Sequence, residues 1–453
     1  MYSIKNSKPT SILQTDFYQL TMAYAYLHTD KAEEATGFES FVRKIKPEIS
    51  NENYYYFNGE EEIREFIYSV KKEIREPDFF DRFWEMIKDK VDQSTYKKTK
   101  KKFKKIYKFF DFTVMSNGDK VHSFVPVFQY YGPRFFGQLL ETPITNIING
   151  RVGYQSAAMS SKKNKGKSLY DIYHEEDKVY MRKLRTRAKE YRNATSKILL
   201  EAGYRRAPSF EVATNASRIA IEENWDSTSN TTIFEDIDSS LINGSMAHAY
   251  VMSFEKDGKP NELEAFRSWN ELFPNSTILI DTYNVENAID ILIQNEIKPK
   301  AVRIDSDPIE DYVRIVRKKL NKAGWSDVQI FISGDITPEK LIKWEEENLP
   351  FDICMAGTHY VNIDTAKNIN PGFVYKIVEF TNIDTGFTEY PEKKSTGKSN
   401  YPGLKAVYFD KNRNELIVSI KEKSFGFSSS RFSSFKDIDS DTKVIFKERG
   451  IEC

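Results

Sequence analysis

The sequence has very little cysteine, with only Cys354 and Cys453 among 453 residues, far apart and in unlike surroundings. This excludes a disulfide framework and nearly excludes a cysteine-rich zinc site, so the composition fits a reducing compartment. Long apolar runs are also missing. No stretch approaches the ~18 uninterrupted apolar residues of a membrane span, and the first residues contain no apolar signal core. We therefore expect a cytoplasmic protein with no membrane partner.

Net charge is absent as well, because 67 basic side chains are balanced by 67 acidic ones. No whole-molecule field draws the protein toward nucleic acid or an anionic membrane, so any basic site must be local. A run of lysines occupies residues 97–108, but charge runs on helices are usually solvated faces. A nucleic-acid partner is therefore not expected.

Residues 276–361 carry the most regular pattern, in which four short apolar runs alternate with helical patterns, as in βαβα units of a parallel sheet. The runs end, in order, at Asp281, Asp305, Gly334-Asp335 and Gly357-Thr358. In parallel α/β folds ligands bind at this carboxyl edge, where loops and helix N-termini converge. One such residue is commonly only a cap or a turn, but its recurrence in four consecutive units favours a binding site.

Side chains suited to anions and to phosphoryl chemistry lie upstream of these units. Arg205 and Arg206 follow a glycine and can present guanidinium forks to a carboxylate or a phosphate. The hydroxyl-rich residues 227–230 offer hydrogen-bond donors, although such runs are commonly turns. His248 alone resembles a core histidine, and only its neighbours indicate that it takes part in chemistry.

Taken in order, these motifs resemble those of the nicotinate phosphoribosyltransferase family. The matching segments are Thr15–Met22, Phe38–Arg43, Leu139–Thr142, Asn146–Asn149, Gly203–Ala207, Thr228–Asn230, Gly244–Ala249, Asp281–Tyr283, Arg303–Ser306 and Gly357-Thr358. Each motif alone is weak, whereas the ordered set is specific and spans most of the chain.

The resemblance implies the α/β fold of type II phosphoribosyltransferases, an irregular α/β barrel joined to an α/β N-terminal domain. We predict the N-terminal domain over residues 1–145 and the barrel over residues 146–375. A small β-containing C-terminal subdomain, residues 376–453, is predicted to pack back on the N-terminal domain. The resemblance also implies a homodimer whose active sites are shared between the subunits.

The activity implied is the formation of nicotinate mononucleotide and pyrophosphate from nicotinate and phosphoribosyl pyrophosphate, in NAD salvage. Hydrolysis of ATP would be coupled through transient phosphorylation of His248, with Mg²⁺ on the pyrophosphate. A phosphorylated imidazole adds negative charge and acceptors that can draw pyrophosphate and Mg²⁺ into place. Because the anomeric carbon becomes cationic as pyrophosphate leaves, carboxylates near the ribose and a clamp on the ring are needed.

The resemblance also assigns roles to residues around the ring. Arg205 is expected to hold the nicotinate carboxylate, while Tyr18 of the partner subunit stacks on the pyridine ring. Arg303 is expected to serve the carboxylate or the phosphates. Arg206 and Ser229 complete the residues expected to bind this part of the substrates.

A second group is expected at the ribose and the phosphates. The resemblance implies catalytic roles for His248, Asp281 and Asp305. The two aspartates, together with Asp335, are candidates for ribose hydroxyls or for the waters of Mg²⁺. Backbone N–H groups of three further residues are expected to cradle the 5′-phosphate. These residues are Gly334, Gly357 and Thr358.

The chain departs from the family at one loop. The family usually reads Arg-x-Asp-Ser-Gly-Asp where this chain has Arg303-Ile-Asp-Ser-Asp-Pro308. The missing glycine adds a side chain at a position of close approach, and Asp307 is expected to replace the lost acid one register away. In addition, the segment 160–190 is longer than expected, and His359 stands where a basic residue is common.

Three alternatives stay open. A nicotinamide enzyme places an acid near the ring amide, but the matching position is Ser229, and the doubled arginines Arg205 and Arg206 favour an anionic ring. Quinolinate enzymes lack the context of the phosphorylatable histidine. A non-catalytic relative would bind RNA or another polyanion through residues 97–108.

Overall fold

The computed structural model describes residues 8–160, 169–363, 370–382, 386–391, 401–410, 415–420 and 443–447. Its helices are α1 (Phe17–His28), α2 (Glu60–Glu73), α3 (Phe79–Ile87), α4 (Tyr96–Phe103), α5 (Arg134–Leu139), α6 (Glu141–Ser160), α7 (Leu169–Ala194), α8 (Phe210–Glu222), α9 (His248–Met252), α10 (Glu262–Leu272), α11 (Val285–Gln294), α12 (Ile309–Lys322), α13 (Pro338–Glu346) and α14 (Thr358–Val361).

The strands are β1 (Ala35–Phe41), β2 (Tyr55–Tyr56), β3 (Asp111–Val114), β4 (Lys120–Val121), β5 (Phe128–Pro133), β6 (Ile198–Glu201), β7 (Ser227–Thr228), β8 (Thr277–Leu279), β9 (Ala301–Ile304), β10 (Gln329–Ile332), β11 (Ile353–Ala356), β12 (Val374–Thr381), β13 (Thr388–Glu389), β14 (Lys405–Asp410), β15 (Glu415–Ile420) and β16 (Lys443–Lys447). Residues 161–168 of the long segment and several parts of the predicted C-terminal subdomain lie outside the described residues.

A curled parallel sheet of six strands, in the order β7-β6-β11-β10-β9-β8, forms the centre of the barrel. All five strand pairs are parallel. The four strands predicted from apolar runs correspond to β8, β9, β10 and β11, so that prediction is confirmed. The α/β class is confirmed too, since helices connect these strands as crossovers.

The two edge strands, β7 and β8, are not paired with each other in the described residues, and an irregular segment lies between them. Ile242 forms a parallel bridge with Thr228 at the end of β7, and Asn243 N donates to Thr228 O at 2.9 Å. The same segment continues to His248, whose Nδ1 lies 3.2 Å from Thr282 Oγ1 after β8. The barrel is therefore irregular where this segment passes, and His248 lies in that irregular part.

The helices around the sheet follow the amphipathic patterns in the sequence. Helix α12 buries Ile309, Val313, Val316 and Leu320 at helical spacing, and β9 is buried along its whole length. Such a stripe packs on the sheet because burial removes its apolar surface from water. Helix α13 begins as predicted, with Thr337 accepting a hydrogen bond from a backbone N–H of the first turn and proline at the first helical position.

A separate antiparallel sheet, in the order β13-β12-β1-β5-β3, belongs to the N-terminal part of the chain. Strand β12 follows the barrel in the chain and pairs with β1 from Thr36 to Phe41. A buried ion pair of 2.6 Å joins Lys405 Nζ to Glu39 Oε2 on β1. The chain after the barrel thus returns to this sheet, while the three predicted domain boundaries stay predictions.

Helix α1 is held directly against the barrel. Its residues from Phe17 to Leu27 are all buried, and Phe17 N donates to Ser229 O at 2.5 Å. Asp16 forms a bridge with Asn230, just beyond β7. The start of the N-terminal motif at residues 15–22 therefore lies at the carboxyl edge of the parallel sheet.

The lysine run lies largely on α4, and two of its lysines have acidic partners. Lys100 Nζ lies 2.6 Å from Asp81 Oδ1, and Lys102 Nζ lies 2.9 Å from Asp30 Oδ1. The opposite face buries Phe103. This is the arrangement of a solvated helix face, as the composition predicts. Among the residues with described positions, no helix has the length and apolar content that crossing a membrane requires.

Candidate active site

A cavity of about 360 Å³ opens at the carboxyl edge of the parallel sheet. The structure brings every residue predicted to bind substrate to its walls, together with two of the three predicted catalytic residues. These are Tyr18, Arg205, Arg206, Ser229, His248, Arg303, Asp305, Gly334, Asp335, Gly357 and Thr358. Asp281 lies behind the wall, and its Oδ2 accepts a hydrogen bond of 3.0 Å from Asp305 N.

Two motifs fix the turn that carries the adjacent arginines. From α6, Asn146 Nδ2 donates to Tyr204 O at 2.9 Å, and Asn149 Nδ2 donates to Arg205 O at 3.0 Å. From β6, the buried Glu201 accepts a hydrogen bond of 2.5 Å from Gly203 N. The two asparagines of the motif at 146–149 therefore hold the turn, because their amides bind its carbonyl groups.

Arg205 lies at one end of the cavity with Tyr18 and Glu141. Its Nη1 donates to Tyr18 Oη and lies 3.2 Å from Glu141 Oε1. Burial alone would lower the pKa of Arg205, but Tyr18, Glu141 and Asp16 outweigh it and raise that pKa. Burial raises the pKa of the Tyr18 hydroxyl. This end of the cavity therefore presents a charged guanidinium beside a neutral phenol ring.

Asp16 is a site residue that the sequence interpretation missed. It is almost fully buried, lines the cavity, and accepts hydrogen bonds from Ser229 Oγ at 2.5 Å and Thr142 Oγ1 at 2.7 Å. Burial raises the pKa of Asp16, while Arg205 opposes the rise. An acid thus lies next to Ser229 after all, contributed by the N-terminal motif. The motif at 15–22 contains Asp16 beside Tyr18, and it is the signal in the sequence that points to this acid.

His248 lies between the ends of β8 and β9. Its Nε2 is 3.7 Å from Asp305 Oδ2, in addition to the contact of Nδ1 with Thr282. Asp305 Oδ1 accepts a hydrogen bond of 2.7 Å from Ser333 Oγ. Asp281 fixes the backbone of Asp305, so the carboxylate beside the imidazole is oriented from two sides.

Two further arginines line the cavity. Arg303 projects from β9 and donates from Nη2 to Met246 O at 2.7 Å. Burial lowers the pKa of Arg303, although Asp305 and Asp281 oppose this effect. Arg206 Nη1 donates to Phe373 O at 2.6 Å, and burial together with Arg205 lowers its pKa to about 10. Arg206 therefore remains protonated near neutral pH, as binding of an anionic ligand requires.

The loops after β10 and β11 form the other end of the cavity. Gly334 has φ +94°, and a Cβ built on it would lie 2.5 Å from Asp305 O. A Cβ on Gly357 would lie 2.6 Å from Ala202 O. Because neither position leaves room for a side chain, both backbones can approach their neighbours and a ligand closely.

Replacing Gly334 by alanine is expected to lower kcat/KM for the phosphate-bearing substrate by about 100-fold, since a displacement near 1 Å at a positioning loop costs that much. The matched control is Gly324→Ala. Gly324 also has positive φ, +75°, but meets nothing within 4 Å. Steady-state kinetics should show a large loss only for Gly334→Ala. Equal losses in the two variants would mean that backbone strain alone explains the effect.

The loop that departs from the family does not supply the expected acid. Asp307 is exposed and is not among the residues that line the cavity. The described residues also contain no cluster of three or more His, Cys, Asp or Glu side chains that could hold a metal ion. On the β8 and β9 side of the cavity the carboxylates are instead those of Asp281 and Asp305, and the buried Oδ1 of Asp281 has no hydrogen-bond partner among the described residues.

Comparison with known proteins gives consistent relatives, although no family model matches the chain. It is 25% identical over 405 residues to a nicotinate phosphoribosyltransferase of Mycobacterium tuberculosis, covering 87% of this chain and 75% of the relative. It is 24% identical over 413 residues to the Bacillus subtilis nicotinate phosphoribosyltransferase, covering 87% and 72%. Nicotinate phosphoribosyltransferase 1 of Arabidopsis thaliana is 26% identical over 472 residues, covering 86% and 75%.

Solved structures share the fold. The nicotinate phosphoribosyltransferase of Porphyromonas gingivalis superposes with a TM-score of 0.60 at 19% identity, covering 86% of this chain and 96% of that one. A putative nicotinate phosphoribosyltransferase of Saccharomyces cerevisiae gives 0.61 at 17% identity, covering 87% and 95%. The fold implied by the ordered motifs is therefore confirmed.

Proposed function

We propose that this chain, which belongs to the nicotinate phosphoribosyltransferase family by its sequence relatives and its fold, forms nicotinate mononucleotide and pyrophosphate from nicotinate and phosphoribosyl pyrophosphate. The observation that carries the proposal is the layout of the cavity. Arg205 and Tyr18 lie at one end, two glycine loops lie at the other, and His248 and Asp305 lie between them. An anionic aromatic ring and a phosphorylated sugar fit these two ends.

Arg205 binds the nicotinate carboxylate in this proposal. Its Nη1 is engaged by Tyr18 and Glu141, which fixes the guanidinium plane. A carboxylate then binds to the remaining N–H groups as a charge-assisted pair. In the structure Tyr18 lines the cavity beside Arg205 of its own chain. The supply of Tyr18 by a partner subunit, and the homodimer with shared sites, stay predictions that sedimentation and mixing of inactive variants can test.

The chemical step is a displacement at the anomeric carbon. The pyridine nitrogen forms the new C–N bond as the C–O bond to pyrophosphate breaks, and pyrophosphate leaves with the electron pair. Positive charge develops on the ribose, so a fixed carboxylate nearby lowers the barrier. Asp305 suits this role because Ser333 and the backbone contact with Asp281 orient it. The loops at Gly334 and Gly357 hold the 5′-phosphate.

Mg²⁺ and ATP are the proposed cofactors. Mg²⁺ is usually bound through one or two carboxylates plus substrate phosphates and water. This fits Asp305 and Asp281, whose Oδ1 has no hydrogen-bond partner within the described part of the chain. When bound, ATP supplies the phosphoryl group that His248 carries. Coupling to ATP, a place in NAD salvage and a cytoplasmic location belong to the proposal.

One specific observation favours a second candidate, nicotinamide phosphoribosyl transfer. Asp16 accepts a hydrogen bond from Ser229, and an acid at this position can accept one from a ring amide. The charged Arg205, with Arg206 and Arg303 on the same walls, favours nicotinate instead. The two candidates differ in one measurable quantity, the ratio of kcat/KM for the two rings.

Purified protein with Mg²⁺, ATP and phosphoribosyl pyrophosphate is expected to convert nicotinate to its mononucleotide with release of pyrophosphate. Nicotinamide in a parallel reaction is expected to react at least about 100-fold less efficiently, as losing a charge-assisted pair implies. Chromatography of the nucleotide products measures both. Preference for nicotinamide would establish the second candidate. If neither nicotinate nor nicotinamide is converted, and the protein binds RNA in a manner that added salt weakens, the polyanion-binding alternative is favoured.

A further inference from the structure

Helix α7 lies behind the two glycine loops and connects them through one hydroxyl group. Tyr191, which is buried on α7, donates from Oη to Ile336 O at 2.7 Å, two residues after Gly334. The same Oη lies 2.8 Å from Nδ1 of His359, two residues after Gly357. A single side chain therefore bridges the loop after β10 and the loop after β11.

The hydrogen bonds at His359 require a neutral ring. Arg187 Nη1 on α7 lies 3.0 Å from His359 Nδ1 and 3.1 Å from His359 Nε2, and it also donates to His359 O at 3.1 Å. A guanidinium can only donate, so at least one ring nitrogen must offer it a lone pair. The hydrogen of Tyr191 is used by Ile336 O, so Nδ1 is the donor to Tyr191 Oη when Nε2 accepts from Arg187. This chain is lost in a doubly protonated imidazole, because neither ring nitrogen then has a lone pair for Arg187.

The charges around His359 also favour the neutral ring. Burial lowers its pKa, and Arg187 lowers it further, whereas Glu339 on α13, Glu190 on α7 and Asp335 in the loop after β10 oppose the shift. Protonation at Nε2 would place an N–H against the guanidinium of Arg187 and break the chain. Because the folded ring resists protonation, the chain is intact at neutral pH and is lost as the pH falls.

We infer that Tyr191 and His359 are positioning residues that set the spacing of the two loops for the phosphate of the phosphoribosyl substrate. The inference rests on the proposed function for the identity of that substrate. Neither side chain lines the cavity, so neither is catalytic. Their effect on binding must pass through the loop backbones, and it should appear in the KM for phosphoribosyl pyrophosphate rather than in kcat.

The coupling itself can be tested without substrate. Tyr191→Phe should raise hydrogen exchange in both loops, residues 333–337 and 357–361, because it removes the shared hydroxyl. Tyr360→Phe is the matched control. It lies in the same aromatic cluster and loses a buried bond of 2.8 Å to Ala216 O on α8, which does not bridge the loops. Unchanged exchange in Tyr191→Phe, or the same change in the control, would overturn the inference whatever the enzyme's substrates are.

The second test is kinetic and uses pH. Tyr191→Phe should raise the KM for phosphoribosyl pyrophosphate about fivefold, the loss expected for one hydrogen bond, with kcat little changed. His359→Leu should do the same at every pH. His359→Asn keeps a donor near Nδ1 but does not titrate, so it should restore the wild-type KM at pH 8.

Between pH 8 and pH 5.5 the KM of the wild type should rise more steeply than that of His359→Asn. Titration of the substrate phosphate affects both proteins equally, so the difference isolates His359. Identical pH profiles, or losses confined to kcat, would contradict the positioning role. If the wild type does not turn over phosphoribosyl pyrophosphate, the proposed function fails, and the exchange experiment still decides the inference.

Discussion

Arg205→Ala is expected to lower kcat/KM for nicotinate by about two to three orders of magnitude. Two charge-assisted hydrogen bonds to the carboxylate account for roughly 3 kcal/mol of this loss. The variant also leaves the nearly buried Glu141 without the guanidinium that lies 3.2 Å away, so its charge then repels the incoming carboxylate. Nicotinamide has no carboxylate, and its kcat/KM should change by less than about tenfold.

The ratio of kcat/KM for nicotinate to kcat/KM for nicotinamide is the decisive measurement for Arg205. Glu141→Gln in the Arg205→Ala background should recover part of the nicotinate activity, because it removes the uncompensated charge. Arg218→Ala is the control. Arg218 lies on α8 outside the cavity and forms an ion pair of 2.6 Å with Asp236. If Arg205→Ala lowers kcat/KM for both substrates by the same factor, Arg205 does not recognise the carboxylate.

The parallel sheet could be predicted because each of its strands corresponds to a local pattern in the sequence. Strands β8 to β11 are short apolar runs, since parallel strands covered on both faces need no alternation. The residues at the carboxyl ends of these strands could be predicted as well. Residues that terminate a buried strand with Asp or Gly come together at one edge, which is why Asp305, Gly334 and Gly357 share the cavity.

The same rule applied upstream would have found one more residue. Glu201 ends the apolar run of β6 just as Asp281 and Asp305 follow theirs. In the structure it is fully buried, and it accepts hydrogen bonds from Thr228 Oγ1 at 2.6 Å and Ser217 Oγ at 2.7 Å. Burial raises its pKa to about 7. Its carboxylate therefore joins the turn after β6 to the end of β7 and to α8.

Other contacts of the site could not be predicted, because they join residues distant in the chain. Glu141 begins α6 and meets Arg205, which lies 64 positions further on. Asp16 meets Ser229 across 213 positions. Nothing in the local sequence distinguishes these acids from ordinary helix caps. The docking of α1 brings Asp16 to the cavity and the docking of α6 brings Glu141 there, and no periodicity encodes either contact.

His248→Ala is expected to remove the stimulation of the reaction by ATP. The imidazole is the proposed phosphoryl acceptor, and loss of such a nucleophile costs about two to four orders of magnitude in the step it performs. The structure gives the ring two neighbours with different roles. Thr282 contacts Nδ1 at 3.2 Å, and Asp305 Oδ2 lies 3.7 Å from Nε2. The carboxylate can stabilise the proton that one ring nitrogen keeps while the other carries phosphate.

Transfer of label from ATP to the protein tests this role directly. The wild type should incorporate γ-phosphate in a form that is labile to acid and stable to base, as phosphohistidine is, whereas His248→Ala should incorporate none. Thr282→Val should keep the label but acquire it about tenfold more slowly, because one orienting hydrogen bond is lost. His28→Gln is the control, since His28 contacts Thr99 away from the cavity. Undiminished labelling of His248→Ala would exclude His248 as the carrier and would leave Asp305, the nearest carboxylate, with only its role beside the ribose.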